Sequence, residues 1–383
     1  MSVSRRIVLI GPMYPYRGGI AHFFETMYWG LRERGHHVDA VTFTRQYPRL
    51  LFPGQSQFEV GPEPECVVPA ERWLDSVNPL SWQRAAANIA QLQPDVAVFK
   101  YWIPFLAPVF GRLARLLARR GIQQLVVVDN ALPHERRWGD HGLGRYFFRA
   151  MDGCVVMSSA VERDLDRLKV NLPRVFAPHP VYDVFGNVAD RRSAREELGL
   201  GATAPVLLFF GFVRRYKGLH VLLKSMPRIL EKLPDARLVV AGEFYEDEGE
   251  YRDLIASLNL TPSVIVHAHY IPKDQVAKYF AAANVVVQPY LSATQSGVAQ
   301  IAYQFDRPLV VTDVGGLGEL IPHEVAGLVV RPNDPAALAA AVTRFFAENL
   351  ESQLSTGVRA QKHNYSWSRL LDALESLMPG AEG

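Results

Sequence analysis

A chain of 383 residues is longer than one ordinary hydrophobic core sustains and predicts two domains. With 49% hydrophobic and 21% charged residues it has the composition of a soluble globular protein, and a net charge of +2 with a pI near 8.4 gives no overall attraction to nucleic acid. The two cysteines, Cys66 and Cys154, show neither metal-ligand spacing nor a disulfide framework, which fits a reducing compartment. The first apolar run, residues 7–10, is too short for a signal peptide, and the longest, residues 101–118, is broken by Pro104, Pro108, Gly111, Arg112 and Arg115. The expected location is therefore cytoplasmic.

In chain order, short runs rich in Val and Ile at residues 7–10, 38–43, 96–99, 125–128 and 154–157 predict strands. Apolar spacing predicts helices over 20–34, 80–91, 105–120, 145–151 and 160–168. This alternation argues a doubly wound parallel sheet. The first strand runs into Gly11 and then Arg17-Gly18-Gly19, without the G-x-G-x-x-G of a dinucleotide fold. Gly18 and Gly19 opening a helix would let backbone N–H groups approach an anion, and a plain glycine turn would read the same way. Residues 47–69, rich in Pro and Gly, predict a surface excursion. At residues 129–135 a strand ends in polar side chains, Asp129 and His134 among them, at the edge where open α/β sheets take ligands. His134 is suited to work near neutral pH or to a plain surface role.

The pattern breaks at residues 178–183, and the charged stretch 190–197 reads as an interdomain linker. Strands are then expected at 206–210, 237–241, 264–267, 285–288, 309–312 and 328–330. His267 and His269 share a strand face but lack a third ligand, so no metal is expected there. The first strand of this half ends in Gly211-Phe212-Val213-Arg214-Arg215-Tyr216-Lys217-Gly218, and cations at a strand end before a helix suit a diphosphate. The stretch 289–316 is the second focus. A polar loop, with Thr294, Gln295, Ser296 and Gly297, leads into a helix over 298–305, and Ser296 is a good N-cap. In an ordered parallel sheet these two loops converge, and a helix N-terminus there suits a phosphate.

Taken together these residues resemble family-4 glycosyltransferases of the GT-B fold over almost the whole chain. The matches are Pro15-x-x-Gly18-Gly19-Ile20, Arg34-Gly35-His36-x-Val38, Gly211 with Lys217-Gly218, Pro308-Leu309-Val310-Val311-x-Asp313-x-Gly315-Gly316, Gly327-Leu328-Val329-Val330 with Pro332-x-Asp334-Pro335, and Tyr365-Ser366-Trp367. The resemblance implies two Rossmann-like doubly wound parallel-sheet domains facing a central cleft: residues 1–182 for the acceptor, 183–362 for the donor nucleotide, and 363–383 as a helix returning to the first. It implies retaining transfer of a hexosyl group from a nucleotide-sugar to a saccharide or lipid-linked acceptor, without cofactor or obligatory metal. Lys217 and Arg214 would hold the diphosphate, Tyr270 and Ile271 the base, and Glu243 would lie at the same rim. Asp129 or His134 would stand in for a family histidine near the donor sugar.

Two further departures stand out. Phe212 replaces an arginine usual after the glycine, so Arg214 or Arg215 must substitute. The family's E-x7-E glutamates fall near Ala293 and Ile301, flanked here by Gln295 and Gln300. An amide can hydrogen-bond hydroxyls but brings no negative charge to a cationic transition state. Arg112, Arg115 and Arg119 at helical spacing behind Phe105–Phe110 suggest contact with anionic lipid at the inner membrane face, or a solvated basic helix. A nucleotide-sugar epimerase of the same fold, a non-catalytic nucleotide-sugar-binding protein and a nicotinamide dehydrogenase are the alternatives.

Overall fold

The computed structural model describes residues 4–52, 54–59, 66–133 and 137–380, in two compact units. The first comprises Met1–Pro180 with Ser366–Gly383, and the second Val181–Tyr365.

In the first unit β1 (Arg6–Ile10), β2 (His37–Arg45), β3 (Ala70–Asp75), β4 (Val96–Tyr101), β5 (Gln123–Val128), β6 (Gly153–Val156) and β7 (Arg174–Phe176) form a sheet in the order β3-β2-β1-β4-β5-β6-β7. Every pairing is parallel. The helices are α1 (Gly19–Glu33), α2 (Pro79–Gln91), α3 (Ala107–Ala118), α4 (Asp140–Phe148) and α5 (Ser159–Arg167). Period-two alternation sends Val8 and Ile10 into a core with α2 to α5, and Ile7 and Leu9 into a second core with α1. A strand covered on both faces must be apolar at nearly every position, which is why these runs were readable.

The edges were not. Strand β3 is AERWLD, with only Leu74 fully buried, and β7 has just three residues. Edge strands lack the continuous apolar run that marks a central one. Helix α4 begins at Asp140 rather than at the expected 145, because Gly142 and Gly144 mask the pattern. A Cβ on Gly144 would come within 3.3 Å of Leu168 Cδ1, closer than an ordinary contact.

The second unit has β8 (Val206–Phe210), β9 (Arg237–Ala241), β10 (Val264–His267), β11 (Val285–Gln288), β12 (Leu309–Thr312) and β13 (Gly327–Val330), in the order β10-β9-β8-β11-β12-β13. Its helices are α6 (Arg191–Glu197), α7 (Leu219–Lys232), α8 (Glu248–Ser257), α9 (Val276–Ala282), α10 (Gly297–Gln304), α11 (Leu317–Leu320), α12 (Pro335–Ala347) and α13 (Glu351–Gln361). The charged stretch expected as a linker is α6. Asp190 caps it by accepting from Ser193 N–H at 2.8 Å, and Arg195 is buried because it donates to Ala282 O and to Asn284 Oδ1 at 3.0 and 2.9 Å. Of the charges there, Arg195 is structural, while Arg192, Glu196 and Glu197 face solvent.

The last helix, α14 (Trp367–Glu375), packs in the first unit against α1. Trp367 lies 4.9 Å from the Phe23 ring, and Arg34 pairs with Asp372 and Glu375 at 2.6 and 3.1 Å. Among the described residues, no helix is long and apolar enough to cross a membrane.

In each sheet the strand order reverses once, between β1 and β4 and between β8 and β11. The carboxyl ends flanking such a reversal are where open α/β sheets bind ligands.

Candidate active site

The reversal in the second unit is flanked by the loops after β8 and β11. Strand β8 is wholly buried and leads into Gly211, whose φ of 93° favours glycine; a Cβ there would stand 3.2 Å from Val298 and 3.4 Å from Lys217 Nζ. Arg215–Lys217 form one 3-10 turn, and Gly218, at φ 72°, opens α7. A Cβ on Gly218 would fall 1.9 Å from Pro289 O, so the two loops touch backbone to backbone. Leu291 N–H also donates to Tyr216 O at 2.6 Å, and Thr312 Oγ1 donates to Tyr290 O at 2.6 Å. Ser296 Oγ accepts from Ala299 N–H at 3.2 Å, capping α10. The structure thus brings Gly211, Lys217, Thr294, Ser296, Gly297 and Gln300 to one edge.

The three cations of the first loop divide their work. Arg215 faces outward, its backbone N–H on Glu246 and its guanidinium 4.0 Å from Glu250. Arg214 lies over the Tyr245 ring, 5.0 Å from its centroid. Lys217 is half-buried, 5.9 Å from the Tyr290 ring, and pairs with no carboxylate among the described residues. Burial, and secondarily Arg214, push its ammonium down to about 7. A cation desolvated beside another cation and left without a counter-charge suits an anion.

Three aromatic rings stand near-parallel at the same edge. Phe212 and Tyr245 lie 4.5 Å apart at 29°, and Phe212 and Tyr270 lie 6.3 Å apart at 23°. Val213 pairs in extended fashion with the segment after β9, accepting Tyr245 N–H and donating to Glu243 O. That pairing turns Val213 and Phe244 into the core and Phe212 and Tyr245 to the opposite face. Glu243 is buried at this rim, and the Ile271 side chain belongs to the core, so only its backbone could serve a ligand.

The amides have a distinct environment. Gln300 is 1% exposed and its Oε1 has no hydrogen-bond partner among the described residues. Gln288, which sequence reasoning missed, is equally buried, and both ends of its amide are likewise without partners. The signal was present: a polar residue ending the all-apolar strand VVVQ. Ala293 and Ile301, at the expected glutamate positions, are both buried with the core.

In the first unit Gly18, at φ 103°, precedes α1, with nothing within 4 Å of a Cβ there, and Gly19 is the first helical residue. Asp129 follows β5, its Oδ1 2.8 Å from Lys100 Nζ. His134 lies outside the described residues.

Residues 204–348 match the family described as glycosyl transferases group 1, and residues 17–181 match glycosyltransferase family 4. A D-inositol 3-phosphate glycosyltransferase of Pseudarthrobacter chlorophenolicus is 30% identical, with 96% of this chain and 94% of the relative covered. The chain belongs to the family-4, group 1 glycosyltransferases. YtcC of Bacillus subtilis (strain 168), named a glycosyltransferase, is 34% identical over 48% of this chain. There the chain spans about half the relative's length, 46%. The solved structure of HepE from Anabaena in complex with UDP-glucose aligns with a TM-score of 0.75 at 16% identity, covering 97% of this chain and 99% of that one, which supports the GT-B fold.

The structure places two further features of the sequence. Leu106, Val109 and Phe110 lie in the interior of the first unit, and Arg115 donates to Gly111 O at 2.7 Å while covering the Tyr146 ring at 4.0 Å. The apolar side of this helix therefore packs in the core of the first unit, and Arg119 lies exposed at its end. His267 ends β10 and His269 lies beyond it; His267 Nδ1 lies 2.8 Å from Tyr279 Oη. Among the described residues no three His, Cys, Asp or Glu side chains are grouped to hold a metal.

Proposed function

We propose that this chain transfers a sugar from a nucleotide-sugar to an acceptor hydroxyl with retention of configuration, the diphosphate being held by Lys217 and Arg214 at the edge of the second unit. The carrying observation is the half-buried Lys217 ammonium, without a carboxylate, beside the capped start of α10. The near-parallel Phe212, Tyr245 and Tyr270 rings support a nucleoside rather than bare phosphate, because every nucleobase has a face to stack. The relative HepE was solved with UDP-glucose, which agrees with a donor of this class.

In the reaction the bond between the sugar's anomeric carbon and the diphosphate oxygen breaks, and a bond to the acceptor oxygen forms on the same face. The acceptor proton passes to a phosphate oxygen, so no protein base is required. Charge grows on the leaving diphosphate, where two cations and a helix N-terminus are already in place. A metal ion has no necessary part in this scheme. The buried, apolar Ala293 and Ile301 favour one second reading, a nucleotide-sugar-binding protein without turnover. A panel of nucleoside diphosphates and nucleotide-sugars separates the two. A true donor raises the melting temperature by mass action and is consumed with release of nucleoside diphosphate in the presence of acceptor. Stabilisation without turnover would establish the second reading, and no stabilisation by any member would defeat both.

Diphosphate binding should be proton-linked. In the free protein Lys217 is largely neutral above its value of about 7, and an anion beside it restores the charged form. Binding near pH 8 is therefore expected to take up close to one proton, and Kd to rise about tenfold per pH unit above about 7. Calorimetry in buffers of different ionisation enthalpy measures the uptake. Lys217→Arg, which cannot deprotonate, should flatten the dependence; a parent already flat between about pH 7 and 9 would exclude Lys217 as the diphosphate ligand.

Gln300→Ala should weaken donor binding by about 1–3 kcal/mol, since it removes a buried amide that a ligand hydroxyl would satisfy. Because the side chain is buried, the same change also opens a cavity and should lower the melting temperature, so donor binding is compared at a temperature where the variant is folded. Unchanged donor kinetics would remove Gln300 from the site.

A further inference from the structure

The second unit carries a cavity of about 500 Å³ at the edge opposite the diphosphate loops. It lies at the amino ends of β8, β11 and β12, where residues 203–205, Asn284 and Arg307 border it. The diphosphate loops leave the carboxyl ends of β8 and β11, so the five residues of β8, about 16 Å of strand, separate the two places. The other wall is the corner between α12 and α13 and the face of α13, with Phe346, Ser352 and Arg359.

Five cations stand in and behind these walls, and two carboxylates answer them. Glu351 serves Arg191 and Arg307, and Asp306 serves Arg359 and Lys362 at 3.3 and 2.5 Å. Arg195 is satisfied by carbonyls, donating to Ala282 O and Asn284 Oδ1 at 3.0 and 2.9 Å. Arg307 is different. Its side chain is 13% exposed, and its Nε has no hydrogen-bond partner among the described residues. Glu351 Oε1 lies 3.6 Å from its Nη1, too far for a hydrogen bond. That carboxylate is already engaged, accepting from Arg191 and, at 2.6 Å, from Asn284 Nδ2. Burial, and then the Arg191 charge, lower the Arg307 guanidinium to about 10, which leaves it charged at neutral pH. A guanidinium offers five N–H donors in a planar fork, and a largely buried charge with those donors unspent is costly until an anion takes them.

We propose that this cavity is a second ligand site, which binds a small phosphate monoester with its phosphate on Arg307 and Arg359 and its carbon portion against Pro205 and Phe346. The guanidinium fork matches two oxygens of one phosphate. A cavity of this volume is in the range that holds a whole small molecule, and the proline and phenylalanine give the part beyond the phosphate an apolar wall. The site is independent of the transfer reading, because none of its residues belongs to the diphosphate loops.

Calorimetry at constant ionic strength measures the binding of inorganic phosphate and of glycerol 3-phosphate to the parent, Lys217→Ala, Arg307→Met and Ser352→Glu. Ser352 is exposed in the first turn of α13, where a carboxylate favours the helix, so Ser352→Glu should fold normally while setting a negative charge at the cavity. The parent is expected to bind glycerol 3-phosphate with a Kd below about 1 mM and more tightly than phosphate. One equivalent of that binding should survive Lys217→Ala, which removes the diphosphate grip. Arg307→Met and Ser352→Glu should each weaken this equivalent at least tenfold and keep the parent's Kd for UDP. If Arg307→Met fails to fold, Ser352→Glu decides. A parent without saturable binding, binding that disappears with Lys217→Ala, or a folded Ser352→Glu that binds as the parent does overturns the proposal. Equal affinity for phosphate and glycerol 3-phosphate overturns the assignment to an ester, because the carbon portion then adds no contact.

Discussion

Lys217→Ala is expected to abolish measurable sugar transfer while the unliganded protein melts no lower than the parent at neutral pH. The two halves follow from one fact. The ammonium is desolvated beside Arg214 and pairs with no carboxylate, so its ordinary value of 10.5 falls to about 7. Between those values the folded state binds fewer protons at this site than the unfolded chain. Stability from this group therefore rises as pH increases from about 7 to about 10.5, and at neutral pH and below the charged lysine is a liability to the free fold. Removing it relieves that liability. In the reaction the same charge faces a diphosphate on which negative charge is growing, and losing a preorganised group of that kind costs about a hundredfold to a thousandfold in turnover. Nucleoside diphosphate release and differential scanning fluorimetry measure both halves. Parental turnover in a variant that melts normally would refute the diphosphate site.

The second large effect is expected at Gly315. Its φ is +54°, and a Cβ built there falls 1.5 Å from Ala293 O and 2.7 Å from Ala293 C. Both obstacles are backbone, so no side chain can swing away. Gly315→Ala must push the turn after β12 off the loop that carries Thr294 to Gly297. The left-handed conformation alone costs an alanine about 1–2 kcal/mol. The displaced contact adds to that, and a total of about 3 kcal/mol or more corresponds to a fall of about 6–12 °C in a unit of this size. The melting rise produced by a bound nucleotide should vanish with it. Gly186→Ala is the control, because Gly186 has φ +77° but nothing within 4 Å of its Cβ position. It should lose only the conformational part. If Gly315→Ala melted no lower than Gly186→Ala, the loops would not be locked together as described.

The sequence by itself determined the class of fold and one side of the site. Central parallel strands are apolar on both faces, so β1, β4, β5, β8, β11 and β12 announce themselves as runs of Val, Ile, Leu and Phe. Glycines that must adopt positive φ or accept a backbone neighbour, such as Gly211 and Gly218, mark where the chain turns at the sheet edge, and the cations between them mark its charge. Edge strands were hidden for the opposite reason: β3 is half solvated and charged, and nothing local separates it from a loop.

Tertiary structure alone decided which polar residues are enclosed. Arg214 and Arg215 are interchangeable on paper, yet Glu246 and Glu250 draw Arg215 outward and leave Arg214 over Tyr245. The charged stretch 190–197 reads as a linker until Ala282 O and Asn284 Oδ1 are seen to satisfy Arg195 inside the fold. Lys100, next to last in β4, and Gln288, last in β11, look on paper like the step into a loop. Both are buried, because burial depends on which helices cover the sheet edge, and that is settled by contacts between residues far apart in the chain.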